Sequence, residues 1–152
     1  MEMGHGEKAK QLFMEGYNCS QAVLGAFCEE CGMDFGTAMK LSSSFGGGMG
    51  RLREVCGAVS GMFMVAGLIY GYDDPKGQEE KTKHYERIQE LAREFKEENG
   101  SIVCRELLGL TEKKSEPKPE LRSAEYYKKR PCPEMVQMAA EIMEQYILNN
   151  PI

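Results

Sequence analysis

The sequence predicts an all-α fold, a bundle of six or seven helices around a buried central helix at roughly 54–69. Three observations lead there. Apolar residues recur at helical spacing from end to end. No stretch shows the period-two alternation of a strand, and no long repeat appears. The 54–69 segment is apolar nearly all round, as a helix enclosed by others must be. A chain of 152 residues suits one sizeable core, so 1–152 is read as a single helical domain.

The elements follow in order. Glu7 to Gly16 reads as a first helix with Ala9, Leu12 and Phe13 on one face. Asn18 is a good N-cap for a second, about Cys19 to Glu30. Its apolar stripe is Cys19, Ala22, Val23, Ala26 and Phe27, and Gly32 ends it. Asp34 caps a third helix that runs towards Phe45. A glycine loop, Gly46-Gly47-Gly48-Met49-Gly50, leads to the central helix, which carries Gly57 and Gly61 four residues apart. Small residues at that spacing let a neighbouring helix come close. After a turn at 71–75, a long helix runs from Pro75 to about Glu98, with His84, Tyr85, Ile88, Leu91, Ala92 and Phe95 as its stripe. Ser101 caps a short helix holding Cys104 and closed by Gly109. Thr111 to Glu120, polar with Pro117 and Pro119, is an exposed connector. The charged mixture over 112–130 reads as solvated surface. Pro131-Cys132-Pro133 opens the last helix, with Cys132 at the cap and Pro133 at the first helical position. That helix buries Met135, Met138, Ala139, Ile142, Met143 and Tyr146.

The net charge of −5 argues against nucleic-acid and anionic-membrane partners, which favour basic surfaces. The uncharged run 55–72 is diluted by glycines and reads as a buried helix, not a membrane span. No export signal is visible near the N-terminus, so the expected compartment is the cytoplasm. Thiols there stay reduced unless they are catalytic, sensing or metal-bound, and six cysteines call for an explanation.

Cys19, Cys56 and Cys132 all fall at predicted helix starts, where unpaired amides and the helix dipole favour thiolate over thiol. Arg51 and Arg53 strengthen the case at Cys56, and Glu54 opposes them. Cys104 is the exception, placed within a short helix. Cys28 and Cys31 form a C-x-x-C, but without a βαβ pattern, a second C-x-x-C or a following His. Cys28 lies nine residues after Cys19, on the opposite side of one helix. The glycine loop lacks the P-loop and dinucleotide signatures. It leaves only a nonspecific anion nest at Gly46, Gly47, Gly48, Gly50 and Arg51. His5 sits in a mobile terminus, and His84 is expected in a hydrogen-bonded packing role.

Cys19, the run Phe45-Gly46-Gly47-Gly48-Met49-Gly50-Arg51, the motif Cys56-Gly57-Ala58-Val59-Ser60-Gly61, then Cys104 and Cys132, together resemble the C_GCAxxG_C_C family of redox proteins. The resemblance runs from about Tyr17 to Pro133. It implies redox roles for Cys19, Cys56, Cys104 and Cys132, leaves Cys28 and Cys31 outside the pattern, and brings no settled substrate. A related domain occurs with haem, but this chain lacks the attachment sequence, so no c-type haem is expected.

Three functions remain open. A thiol oxidoreductase would use Cys56 as nucleophile and Cys19 as its partner, together with an unknown redox protein. A metal protein would gather Cys19, Cys56, Cys104 and Cys132 around zinc or an iron–sulfur cluster. A non-enzymatic helical module would bury the cysteines and dock a partner helix in a Met-rich groove. The first is preferred.

Overall fold

The computed structural model describes residues 3–110 and 114–152. It is all-α, and no described helix is long and apolar enough to cross a membrane. Residues 111–113, at the start of the expected connector, lie outside the described part. The helices are α1 His5–Met14, α2 Cys19–Ala26, α3 Cys28–Cys31, α4 Phe35–Ser42, α5 Gly57–Tyr70, α6 Gln78–Asn99, α7 Cys104–Leu107, α8 Ala124–Lys129 and α9 Cys132–Asn149.

Helix α5 is the central helix, starting three residues later than expected. It packs on α2 through its glycines. A Cβ on Gly57 would stand 3.0 Å from the Cys19 Cβ, and one on Gly61 would stand 2.8 Å from the Ser20 carbonyl oxygen. These two glycines therefore bring α5 against the start of α2, where Cys19 sits. Around this pair, α1 lies between α2 and α9, while α6 closes the far side. Phe13, Phe27, Phe95, Leu24, Met62, Leu91 and Met143 fill the core with almost no exposure.

Local chemistry sets most boundaries. The Asn18 side chain accepts from the Gln21 amide at 2.9 Å, and the Gln21 side chain returns a bond to the Asn18 amide at 3.0 Å. This capping box fixes the first turn of α2. Asp34 caps α4 by accepting from the Thr37 amide, and Gly32 and Gly100 adopt left-handed conformations where α3 and α6 stop. The expected helix 19–30 breaks at Phe27 into α2 and α3. The long helix begins at Gln78 rather than Pro75, and Tyr85 points outwards.

Two readings of the sequence need correction. Residues 112–130 are not simply solvated surface. Ser123 caps α8, which the sequence pattern did not suggest, and Arg122 turns inwards to donate to the carbonyls of Phe13 and Tyr17. His5 belongs to no mobile end. It opens α1, stacks on Phe27 with ring centroids 4.2 Å apart, and bonds Glu30 and Glu144 through its two nitrogens. His84 is buried as expected, accepting from Arg87 at 3.0 Å.

Candidate functional site

The glycine loop folds into a left-handed turn. Residues 47–51 have φ between +63° and +71°, and the Gly50 amide donates to the Gly46 carbonyl at 3.0 Å. Such a backbone costs an ordinary residue about 1–2 kcal/mol, so glycine at three of the five positions is what makes the turn affordable. Met49 and Arg51 carry the strain, and Arg53 also has a positive φ of 61°. The turn presses against cysteine-bearing backbone: a Cβ on Gly48 would lie 2.7 Å from the Cys104 Cβ and 2.8 Å from the Arg53 Cα.

Each of the four expected cysteines sits at a helix start. Cys19 is the first residue of α2 and Cys132 the first of α9, one position further in than expected, with Pro131 as the cap. Cys56 is the N-cap of α5, not part of its first turn. Cys104 is no exception, for it opens α7. A single antiparallel bridge, Val55 to Val103, positions the middle two. The Cys56 amide donates to the Ile102 carbonyl at 2.7 Å and the Cys104 amide to the Glu54 carbonyl at 2.6 Å. Residues flanking a bridged pair point to the face opposite that pair, so Cys56 and Cys104 share one side.

That side opens on a pocket of about 280 Å³ lined by Cys19, Cys56, Cys104 and Cys132. Gly46, Gly47, Gly48, Gly50 and Arg51 form part of its wall, beside Phe13 and Met135. The expected connector supplies the rim through Pro117, Pro119 and Glu120. It is pinned there by the Ser115 amide on the Arg51 carbonyl (2.9 Å), by Arg51 Nε on the Glu116 carbonyl (2.6 Å) and by Arg53 Nε on the Ser115 hydroxyl (2.8 Å).

The thiols differ in their surroundings. Cys19 and Cys132 line the same pocket, and each perturbs the other's ionisation. The neighbouring Cys19 holds the Cys132 thiol below its ordinary value despite burial, and Arg130, Arg53 and Arg122 add to the effect. Cys19 is pushed well up, first by Cys132 and then by burial. Burial pushes Cys56 up to about 12, although the amides of Ala58 and Val59 point at it. Cys104 is also raised by burial, against the pull of Arg53, whose Nη1 lies 3.5 Å from the Cys104 sulfur. The arginines expected to activate Cys56 therefore act elsewhere. Desolvation outweighs the helix-start effect at Cys56, and among the four pocket cysteines Cys132 is the one held below its ordinary value.

Cys28 and Cys31 do not line the pocket. Cys28 is buried and donates to the Leu24 carbonyl at 3.7 Å, and burial raises Cys31 to about 11. All six cysteines are free, and among the described residues no three of His, Cys, Asp or Glu are grouped so as to hold one metal ion. The four thiols share the lining of one pocket.

A family model described as "Putative redox-active protein (C_GCAxxG_C_C)" matches residues 17–146. The chain belongs to this family. The C_GCAxxG_C_C match begins two residues before Cys19 and ends beyond Cys132, so it takes in all four pocket cysteines and the glycine turn. No curated protein and no solved structure matches the chain. The sequence reading missed several residues around this family's cysteines: Arg122, Tyr126 and Arg130, with Glu120. Burial raises the Tyr126 hydroxyl to about 12, followed by the nearby Cys132 and Cys19. Arg122 stacks on Phe13, 4.0 Å from the ring centre. One signal was available: Ser123 followed by Tyr126 and Tyr127, with arginines on both sides, is a capped aromatic turn and not a plain charged surface.

Proposed function

We propose that this redox protein works by thiol–disulfide exchange, with Cys132 as the attacking thiolate and Cys19 as the resolving thiol. The observation that supports the proposal is the placement of Cys19 and Cys132 in the lining of one pocket, where Arg130, Arg53 and Arg122 favour the charged form of Cys132. Cys56 becomes a buried wall thiol rather than the nucleophile.

The substrate class is a disulfide. The Cys132 thiolate attacks one substrate sulfur, and the substrate S–S bond breaks. Its electron pair leaves on the second sulfur, which takes the Cys19 proton. The Cys19 thiolate then attacks the Cys132 sulfur and displaces the remaining half of the substrate as a thiolate. The protein ends with a Cys19–Cys132 disulfide, and two electrons have passed to the substrate, now two thiols once the second is protonated from water. A dithiol reductant running the same steps backwards restores the start.

The test is exchange with 2-hydroxyethyl disulfide, followed by digestion without reduction and mass mapping. We expect one disulfide per chain, joining Cys19 to Cys132. Cys19→Ser should stall as a mixed disulfide on Cys132, and Cys132→Ser should not react at this pair. Oxidised protein in which Cys19 and Cys132 both remain open to alkylation would sink the proposal.

A further inference from the structure

We infer that the pocket selects small anionic disulfides, with Arg51 as the residue that reads the negative charge. The inference rests on the thiol-exchange reading above and names its substrate class.

The chain as a whole is acidic, at −5, yet the groups around the pocket are not. Arg51 and Arg122 line it, Arg53 lies behind Cys104, and Arg130 faces Tyr126. Among the described residues the carboxylate paired with this group is Glu120, 2.7 Å from Arg130 and 4.0 Å from Arg51. Four guanidinium groups and one carboxylate leave a local excess of three positive charges, and one thiolate at Cys132 offsets only part of it.

Most of these donors are already committed. Arg122 is held by two carbonyls, Arg130 by Glu120, and Arg53 by Ser115 and the Cys104 sulfur. Arg53 is only 4% exposed and cannot reach a solute directly. Arg51 differs. Its Nε is anchored to the Glu116 carbonyl, while among the described residues the carboxylate nearest its terminal nitrogens is Glu120, 4.0 Å away. It is held in the wall by a strained backbone with φ of 67°. Burial and then the neighbouring Arg53 both disfavour its charge, so an arriving anion would relieve the crowding. The terminal N–H groups of a guanidinium match a carboxylate in charge and shape.

Size points the same way. A pocket of about 280 Å³ under a rim of Pro117 and Pro119 admits a molecule of small-metabolite size. Of the cysteines in its lining, Cys56 and Cys104 are buried and Cys19 and Cys132 are half-buried.

The experiment compares three disulfides of similar length: 3,3′-dithiodipropionate (anionic), 2-hydroxyethyl disulfide (neutral) and cystamine (cationic). Each rate on the reduced full chain is divided by that disulfide's rate with free 2-mercaptoethanol. Charged clefts change association by factors of about 10–1000, so the anionic probe should exceed the neutral one by about tenfold or more, with cystamine slowest. Added salt should compress the series. Arg51→Gln should shrink the anionic-to-neutral ratio several-fold, and Arg51→Lys should keep most of it. Equal normalised rates, a faster cystamine, or an unchanged ratio in folded Arg51→Gln would each overturn the inference while leaving thiol exchange standing. If none of the three oxidises the Cys19–Cys132 pair, the exchange reading itself fails.

Discussion

The pocket cysteines and the Cys28–Cys31 pair make an instructive contrast within one chain. Cys28 and Cys31 have the spacing best known for redox work, lie on one short helix, and are flanked by Glu29 and Glu30. Burial raises both thiols, and nearby carboxylates add to the rise. Cys19, Cys56, Cys104 and Cys132 have no short spacing at all. Four separate helix starts carry them to one pocket bordered by arginines, and one of the four is held below its ordinary value. The difference teaches that the surrounding charge and burial decide which thiol is ready to react, while sequence spacing decides only which thiols are neighbours. Even within the pocket, a helix start alone does not suffice: Cys56 has one and is raised to about 12.

The sharpest way to break the contrast is through the glycines beside each group. Gly32 and Gly48 both have left-handed backbones, at φ of 64° and 71°. A Cβ on Gly32 would meet nothing within 4 Å, whereas one on Gly48 would meet the Arg53 Cα and the Glu54 nitrogen at 2.8 Å, neither of which can swing away. Gly32→Ala should cost only the conformational penalty, about 1 kcal/mol. Gly48→Ala adds overpacking and should cost about 3 kcal/mol or more. Thermal melts of the two variants would read this as a Tm loss at least twice as large for Gly48→Ala. Equal losses would mean that the glycine turn is not locked against the cysteine-bearing backbone.

The second effect is on reactivity. Burial holds Cys31 at about 11, while Cys132 is held below its ordinary value, so Cys132 carries the larger thiolate fraction at neutral pH. Lower basicity weakens a nucleophile and offsets part of that advantage, so the rate gap should be about tenfold. Limited alkylation at neutral pH, quantified peptide by peptide, should label Cys132 first and leave Cys56 and Cys31 behind. Labelling of Cys31 ahead of Cys132 would reverse the contrast.

Much of the fold was legible because its signals are local. Asn18, Asp34, Gly32 and Gly100 act within a turn of themselves, and the Gly57–Gly61 pair announces a close helix neighbour. Local helix-start signals also picked out Cys19, Cys56 and Cys132, while Cys104 joined the set through the family resemblance. Their division of labour was not legible in this way, since it depends on contacts between residues far apart in the chain. Arg122 joins Cys132 in the pocket lining from a stretch that looks like surface, Arg53 turns to Cys104 instead of Cys56, and Cys19 shares the pocket with Cys132 across more than a hundred positions. The stretch after residue 113 illustrates the same limit: Arg51 and Arg53 fasten Ser115 and Glu116 beside the pocket that Pro117 and Pro119 line, and sequence spacing shows none of this. Phe27 is a related case, where tertiary packing broke a helix that the apolar stripe would have continued.

The smallest effect belongs to the region of Cys28 and Cys31, where His5 joins α1 to Glu30 of α3 and Glu144 of α9. Burial lowers the His5 imidazole, but the bonds from Glu144 and Glu30 outweigh it and leave it raised above the usual 6.5. The same bond from His5 holds Glu144 below the usual 4.5. A raised histidine stabilises the fold fully below its unfolded value, and the contribution fades as pH rises through the folded value. A lowered carboxylate stabilises above its unfolded value, and the contribution fades as pH falls through the folded value. The clamp is therefore strongest between about pH 4.5 and 6.5. Both carboxylates are more than a third exposed, at 38% and 36%, so solvent screening keeps the gain within about 1 kcal/mol. His5→Ala should lower Tm most near pH 5.5, with the deficit shrinking on either side. A deficit that does not vary with pH would assign His5 to stacking on Phe27 alone. Because the clamp stands apart from the arginines, His5→Ala should leave Cys132 alkylation unchanged, and a shift there would show that the two cysteine regions are coupled through α9.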